Sequence, residues 1–215
     1  MGSADRRARE KQELREKILD AARELFATDG FDAVTMRAIA EKIEYSATAI
    51  YLHFKDKEEL IRELCRHDFL ELATRLQKIF AIADPIEKLR KLGLAYIDFA
   101  IAHPNHYRVM FMTPDIPGKL EKRELVDLER GNPEQDAYAA LKIVVGEAIA
   151  SGRLRPELRD ADLVAQTVWS GMHGVASLEI AKCDDDWFEW TPVKARAKLM
   201  NEIIIRGLLK PGEEA

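Results

Sequence analysis

The sequence predicts an all-α protein: an N-terminal three-helix unit carrying a helix-turn-helix, followed by a larger helical unit. Three observations predict it. Ala, Leu, Glu, Lys and Arg dominate the chain, and these residues lose least on entering a helix. Apolar residues recur at three- and four-residue intervals, and the two-residue alternation of a half-buried strand is absent. Ser, Thr, Asp, Pro and Gly punctuate the pattern at the offsets that start and stop helices. The 215 residues are 47% hydrophobic and 33% charged, enough for a packed core and unlike a disordered chain.

The elements follow in order. Ile18, Ala22, Leu25 and Phe26 form one apolar face of a first helix, roughly 9–28, ended by Asp29-Gly30. Thr35 is the N-cap of a short helix through about Lys42, and Ser46 the N-cap of another through about Leu52. Asp56, with Glu59 three residues on, opens a long helix over about 56–81 in the manner of a capping box. Asp84-Pro85-Ile86-Glu87 sets a cap, a first-turn proline and an N3 glutamate in order, starting a helix to about His103. Pro104 starts a shorter one to about Met112. Residues 113–118 read as a loop, 119–130 as a charged helix, and Gly131-Asn132-Pro133 as a break before a helix to Ser151-Gly152. Further helices are expected over about 160–182 and from Thr191-Pro192 to near Leu209, with a loop holding Trp187 and Trp190 between them. The division is a flexible basic arm over 1–11, a small helical domain over 12–72 and a larger one over 84–210.

Composition excludes several classes. Two cysteines, Cys65 and Cys183, cannot build a disulfide framework and suit a reducing compartment. No apolar run approaches the ~18 residues of a membrane span, and Met1 to Arg9 lacks the apolar stretch of a signal peptide. A cytoplasmic protein without membrane attachment is expected. The formal net charge is -5, and residues 1–81 carry 15 Lys+Arg against 16 Asp+Glu. This is not the basic balance of a protein that coats nucleic acid, so any positive surface is local. One local excess is the first 17 residues, where Arg6, Arg7, Arg9, Lys11, Arg15 and Lys17 face Asp5, Glu10, Glu13 and Glu16.

Residues 35–54, Thr-Met-Arg-Ala-Ile-Ala-Glu-Lys-Ile-Glu-Tyr-Ser-Ala-Thr-Ala-Ile-Tyr-Leu-His-Phe, place two short helices around a three-residue turn. Ile39, Ala40, Ile43, Ala49, Ile50 and Phe54 can pack together and on the first helix. That leaves the second short helix as a protruding rod whose width suits the DNA major groove.

Residues 12–72 resemble the DNA-binding domain of TetR-family regulators. The resemblance rests on Ala22 through Phe26, Gly30-Phe31, Thr35-x-Arg37-x-Ile39-Ala40 and Ser46-x-x-x-Ile50-Tyr51-x-His53-Phe54-x-x-Lys57-x-x-Leu60. Two departures stand out: Glu44 where the family often has Gly in the turn, and Ala47 and Thr48 where it often has Lys and Gly. A left-handed turn at Glu44 carries strain. The resemblance implies a homodimeric regulator on a palindromic operator in double-stranded DNA. It makes Tyr51, His53 and Lys57 phosphate contacts, which position without reading sequence. Arg37, Tyr45, Ala47 and Thr48 are the expected base-edge readers, with Arg37 matched to guanine and Ala47 and Thr48 to a thymine methyl. Thr35 and Ser46 cap their helices and direct backbone N–H groups at phosphates.

In the larger unit the last two long helices are the expected dimer face. Leu163, Val164, Thr167, Val168, Gly171, Val175 and Leu178 lie along the first, and Leu199, Ile203, Ile204, Leu208 and Leu209 along the second; Gly171 and Gly174 would permit close approach. Trp169-x-x-x-His173-Gly174 resembles the tryptophan–histidine–glycine signature of one C-terminal subgroup of the family. An effector pocket is expected from Phe99, His103, Tyr107, Met110, Phe111, Tyr138, Trp169, Met172 and His173, a lining that suits a mostly apolar small molecule. No cofactor, catalytic residue or metal site is expected, because Pro104 disturbs the His103-x-x-His106 spacing and no hydrolase, phosphate-loop or zinc motif occurs. The alternative is a helical enzyme or adaptor that uses the C-terminal pocket.

Overall fold

Glycine and side-chain caps set where the helices begin and end. In a computed structural model, which describes residues 2–112, 131–182, 186 and 189–213, α1 (Ser3–Asp29) stops at Gly30, whose φ of 81° breaks the helix. Thr35 Oγ1 accepts the Ala38 N–H at 3.1 Å to open α2 (Met36–Lys42). Ser46 Oγ accepts the Ala49 N–H at 3.2 Å to open α3 (Ala47–Tyr51). Asp56 accepts the Glu59 N–H at 2.7 Å, and the Glu59 carboxylate returns to the Lys55 N–H at 2.6 Å. That reciprocal pair heads α4 (Lys57–Gln77), which tightens into a 3-10 turn, Lys78–Ala81. Asp84 accepts the Ile86 N–H at 2.9 Å at the start of α5 (Pro85–Ala102). α6 (Pro104–Tyr107) runs into a π-helical turn, Arg108–Met112.

α7 (Ala137–Ala150) starts later than Pro133 suggests, because Asp136 is the stronger cap and accepts the Tyr138 and Ala139 N–H groups at 3.0 and 3.1 Å. α8 (Ala161–Lys182) is headed by Asp160, and α9 (Val193–Leu208) follows Pro192. No strand occurs among the described residues, only an isolated antiparallel bridge between Leu154 and Leu209. The all-α class therefore holds. The elements expected over 113–130, and Trp187, lie outside the described residues. The stretch expected as a flexible arm is helical from Ser3. Its charges are spaced four apart and pair along the helix, Arg6 with Glu10 at 3.3 Å and Arg9 with Glu13 at 3.7 Å.

The described chain falls into two compact units. The first takes residues 2–68 together with 105–112, and the second takes 69–104 and the described residues from 131 on. In the first, α2 packs on α1 and α3, and Ile18, Ala22, Phe26, Ile39, Ile50, Phe54, Leu60 and Leu64 are buried. Residues 108–112 also pack on α1, so Tyr107 and Val109 are core residues of this unit. In the second, α5 packs against α7, α8 and α9 around Leu89, Leu92, Val144, Val164, Val168 and Ile205. Two glycines allow the close approaches. A Cβ on Gly93 would lie 2.9 Å from Asn201 Oδ1 of α9, and one on Gly171 would lie 2.7 Å from Ile204 Cδ1. Gly171 thus serves the contact of α8 with its own chain's α9.

The first unit encloses one polar network. Asp68 is completely buried and accepts Arg23 Nη2 at 2.9 Å and Nε at 3.2 Å. His106 Nδ1 stands 3.1 Å from the same carboxylate. Burial pushes the Asp68 carboxyl up, but the hydrogen bonds and charges of His106 and Arg23 outweigh it and hold the group below its ordinary value. The fork therefore joins α1, α4 and α6. Asp68→Ala leaves the buried Arg23 guanidinium with Asp20, at 2.7 Å, in place of the two-pronged Asp68 contact, and is expected to lower the unfolding free energy by about 3 kcal/mol. A depressed carboxyl gives stability that is present above its unfolded pKa of about 4 and is lost as pH falls through the folded value. Urea unfolding across pH is expected to show this acid loss in the native protein and a flatter profile in Asp68→Asn.

Candidate nucleic-acid interface

A five-residue helix has no independent stability, so α3 depends on its anchors. Ile50 is fully buried and Phe54 nearly so, while Tyr51 is 55% exposed and Leu52 76% exposed. Tyr51 is therefore not the core aromatic its apolar ring could have made it. The turn before α3 is a Schellman motif. The Glu44 N–H donates to the Glu41 carbonyl at 3.2 Å, and the Tyr45 N–H donates to the Ala40 carbonyl at 2.9 Å. Glu44 has φ 61°, the only positive φ of a non-glycine among the described residues. The strain expected there is present.

Most of the positions expected to face DNA are exposed. Thr35, Arg37, Tyr45, Ser46, Thr48 and Tyr51 are exposed, and Ala47 and His53 half-buried. Arg37 Nε donates to Glu41 at 2.8 Å, which steadies the guanidinium while its side chain stays 83% exposed. His53 lies below its ordinary pKa, first through burial and then through the charges of Lys11 and Arg15. Its Nδ1 is buried with no hydrogen-bond partner among the described residues. It is a neutral imidazole near pH 7.

Lys57 is engaged within the unit. Its ammonium donates to the Phe31 and Val34 carbonyls at 2.6 and 2.9 Å and sits 4.2 Å from the Phe31 ring centre. Those carbonyls belong to the α1–α2 connection, which has no helical partners for them, so the cation braces that loop. Arg15 is a brace that the sequence reading missed. It donates to the His53 carbonyl at 3.3 Å, lies 4.4 Å from the Phe54 ring centre and pairs with Glu63 at 3.0 Å. Glu63 is held at about 2, chiefly by its hydrogen bond from Arg66. Nothing in the spacing of Arg15 separates it from an ordinary surface arginine.

The expected effector residues divide between the units. Tyr107, Met110 and Phe111 belong to the first unit, where the Tyr107 and Phe111 rings lie 5.0 Å apart. Phe99, His103, Tyr138, Trp169, Met172 and His173 belong to the second. There Trp169 meets His173 edge-on at 6.0 Å and Tyr138 at 6.3 Å. Their organiser is Tyr96, absent from the expected set: its hydroxyl accepts the Trp169 indole N–H at 3.2 Å and stands 3.0 Å from His173 Nδ1. Burial holds His173 below its ordinary pKa. Tyr96 lies on the buried face of α5, where sequence alone makes it one more core aromatic. His103 is engaged by Arg75, whose Nη2 is 2.6 Å from its Nε2, and by the Phe99 ring at 5.3 Å. A groove of about 900 Å³ in the second unit is lined by Arg90, Arg155, Glu202, Arg206 and Lys210, and by none of the expected effector residues.

Comparison with known proteins decides the family. Residues 18–64 match the bacterial regulatory proteins of the tetR family, and residues 89–188 match the tetracyclin repressor-like C-terminal domain. The HTH-type transcriptional repressor KstR2 of Mycolicibacterium smegmatis is 34% identical over 152 residues, which is 70% of this chain and 71% of that protein. The chain belongs to the TetR family. The structure of the ketosteroid transcriptional regulator KstR2 of Mycobacterium tuberculosis superposes with a TM-score of 0.66 at 26% identity, covering 91% of this chain and 95% of that one. FadR from Bacillus subtilis in complex with stearoyl-CoA shares the fold, with a TM-score of 0.71 at 19% identity over 90% of this chain and 98% of that one. Like the rest of the TetR family, this chain is a DNA-binding transcriptional regulator and not an enzyme, and members of the family work as dimers. No described helix is long and apolar enough to cross a membrane.

Two substitutions separate these roles. Lys57→Ala is expected to lower stability by about 1–3 kcal/mol, through two lost carbonyl contacts, while leaving the salt dependence of DNA binding at the native slope. Thermal unfolding and salt titration read the two effects separately. Glu44→Gly relieves the left-handed strain and removes a negative charge beside α3. It is expected to raise the unfolding free energy by about 1 kcal/mol and to tighten binding to random-sequence duplex in the same titration.

Proposed function

We propose that this chain is a cytoplasmic, homodimeric repressor that leaves a palindromic operator when a small, mostly apolar molecule binds its C-terminal domain. The carrying observation is α3: capped, anchored by Ile50, and exposed along the side that bears Tyr45, Thr48 and Tyr51. In this reading Arg37, Tyr45, Ala47 and Thr48 meet base edges, and Thr35, Ser46, Tyr51 and His53 meet the backbone. Lys57 holds the loop behind them.

The dimer face is the exposed part of α8 and α9. The apolar residues of these helices include a buried set and an exposed set. Val164, Val168, Val175, Leu208 and Leu209 are buried within the chain. Leu163 (62% exposed), Leu178 (49%), Leu199 (63%) and Ile203 (58%) are not. Four large aliphatic side chains in water on two adjacent helices fit an interface better than a free surface.

The effector reading rests on the second unit's aromatic cluster. Tyr138, Trp169 and Met172 supply apolar surface, and the Tyr96–His173 pair supplies a polar tip within it. That suits a bulky apolar molecule with a single hydrogen-bonding group. The name of the KstR2 relative makes ketosteroids the first class to test. Release requires the molecule to bind the DNA-incompetent dimer better than the competent one.

Selection of genomic fragments with the purified protein tests the reading: a small palindromic set is expected, released on titration with a four-ring ketosteroid. Retention of no fragment in low salt would sink the repressor reading, and retention without release would sink only the proposed ligand class. Ile203→Glu, at an exposed position, is expected to leave the helical content unchanged. It removes about 2 kcal/mol of apolar burial per protomer and places a carboxylate in the interface, so sedimentation is expected to find monomers and operator retention to vanish.

A further inference from the structure

The stripe of α1 that packs into the first unit does not end where the packing ends; it turns basic. Ile18 and Ala22 are fully buried. Stepping back along the same face at helical spacing gives Arg15, Lys11 and Arg7. Arg15 marks the edge of the unit, where it contacts the His53 carbonyl and the Phe54 ring. Lys11 follows one turn further out, and its charge, like that of Arg15, acts on His53. Arg7 stands one turn beyond that. Both are exposed, and neither has a carboxylate partner among the described residues.

The other side of the same helix is neutralised along its own length. Arg6 pairs with Glu10 and Arg9 with Glu13, while Glu16, which accepts from the uncharged Gln12, keeps its negative charge. The modest excess of positive charge near this end is therefore gathered on one face, the face that continues toward the end of α3. Residues four apart are about 6 Å apart along a helix axis. This exceeds the axial spacing of about 3.4 Å between phosphates of one DNA strand, so the two cations stand far enough apart to meet separate phosphates.

We propose that Arg7 and Lys11 form a phosphate clamp on duplex DNA, extending the contact beyond the helix-turn-helix along the rigid N-terminal turns of α1. The inference rests on the reading of α2 and α3 as the groove-facing pair. The clamp is indifferent to base sequence: it adds affinity and salt dependence and leaves specificity to α2 and α3.

The test compares two full-length variants with the same loss of charge, Arg7→Gln with Lys11→Gln and Arg6→Gln with Arg9→Gln. Binding is titrated against salt on a random-sequence duplex several helical turns long and on a genomic fragment retained by the native protein. Glutamine keeps helix propensity, and circular dichroism checks it. The first variant is expected to flatten the slope of log K against log salt by about two per protomer on both DNAs. The ratio between the two DNAs is expected to stay unchanged. The second variant is expected to keep a slope close to native. A native slope in the first variant, or equal flattening in both, overturns the clamp and leaves the repressor reading standing. A native protein that retains neither DNA in low salt overturns both.

Discussion

The geometry of the whole helix-turn-helix depends on a helix too short to exist by itself. α3 has five residues, fewer than any isolated helix needs to offset its nucleation. It is held by Ser46 at one end, by Ile50 beneath, and by a Schellman turn that brings it off α2 at a set angle. The turn is strained at Glu44, and the strain persists because the packing on either side over-determines it. Arg15 and Lys57 then fasten what the apolar contacts leave loose: one ties α1 to the far end of α3, the other ties α4 to the loop before α2.

Asp68 plays the corresponding part in the body of the same unit. A carboxylate buried without compensation is far too costly to keep. Here the Arg23 fork and His106 converge on it from two other segments. The arrangement supports direction more than it supports net stability, because a buried pair roughly repays its own desolvation. It fixes which face of α1 meets α4, and it holds residues 105–112 to this unit although they follow α5 in the chain.

The second unit separates two uses of apolar surface on α8 and α9. Valines and leucines spaced to face α5 and α7 close the core, with Gly93 and Gly171 letting the helices approach. Larger aliphatics on the opposite stripe remain in water. The aromatic cluster is equally divided in character: Trp169 and Tyr138 are apolar bodies, while the Tyr96 hydroxyl and His173 Nδ1 form a polar contact beside them.

Much was determined by the sequence alone, because it is written in local spacing. The all-α class, the caps at Thr35, Ser46, Asp56 and Asp84, the strained turn at Glu44 and the resemblance of residues 12–72 all depend on neighbours within a turn or two. What tertiary structure decided depends on residues far apart in the chain. Lys57 became a brace because the Phe31 and Val34 carbonyls came to it. Tyr96 became the organiser of Trp169 and His173 because α5 packs on α8. Tyr107 joined the first unit, and the α8–α9 leucines divided into core and surface, because burial depends on which helix lies opposite. A pattern of three and four residues marks a face, but only the assembled fold supplies what that face meets.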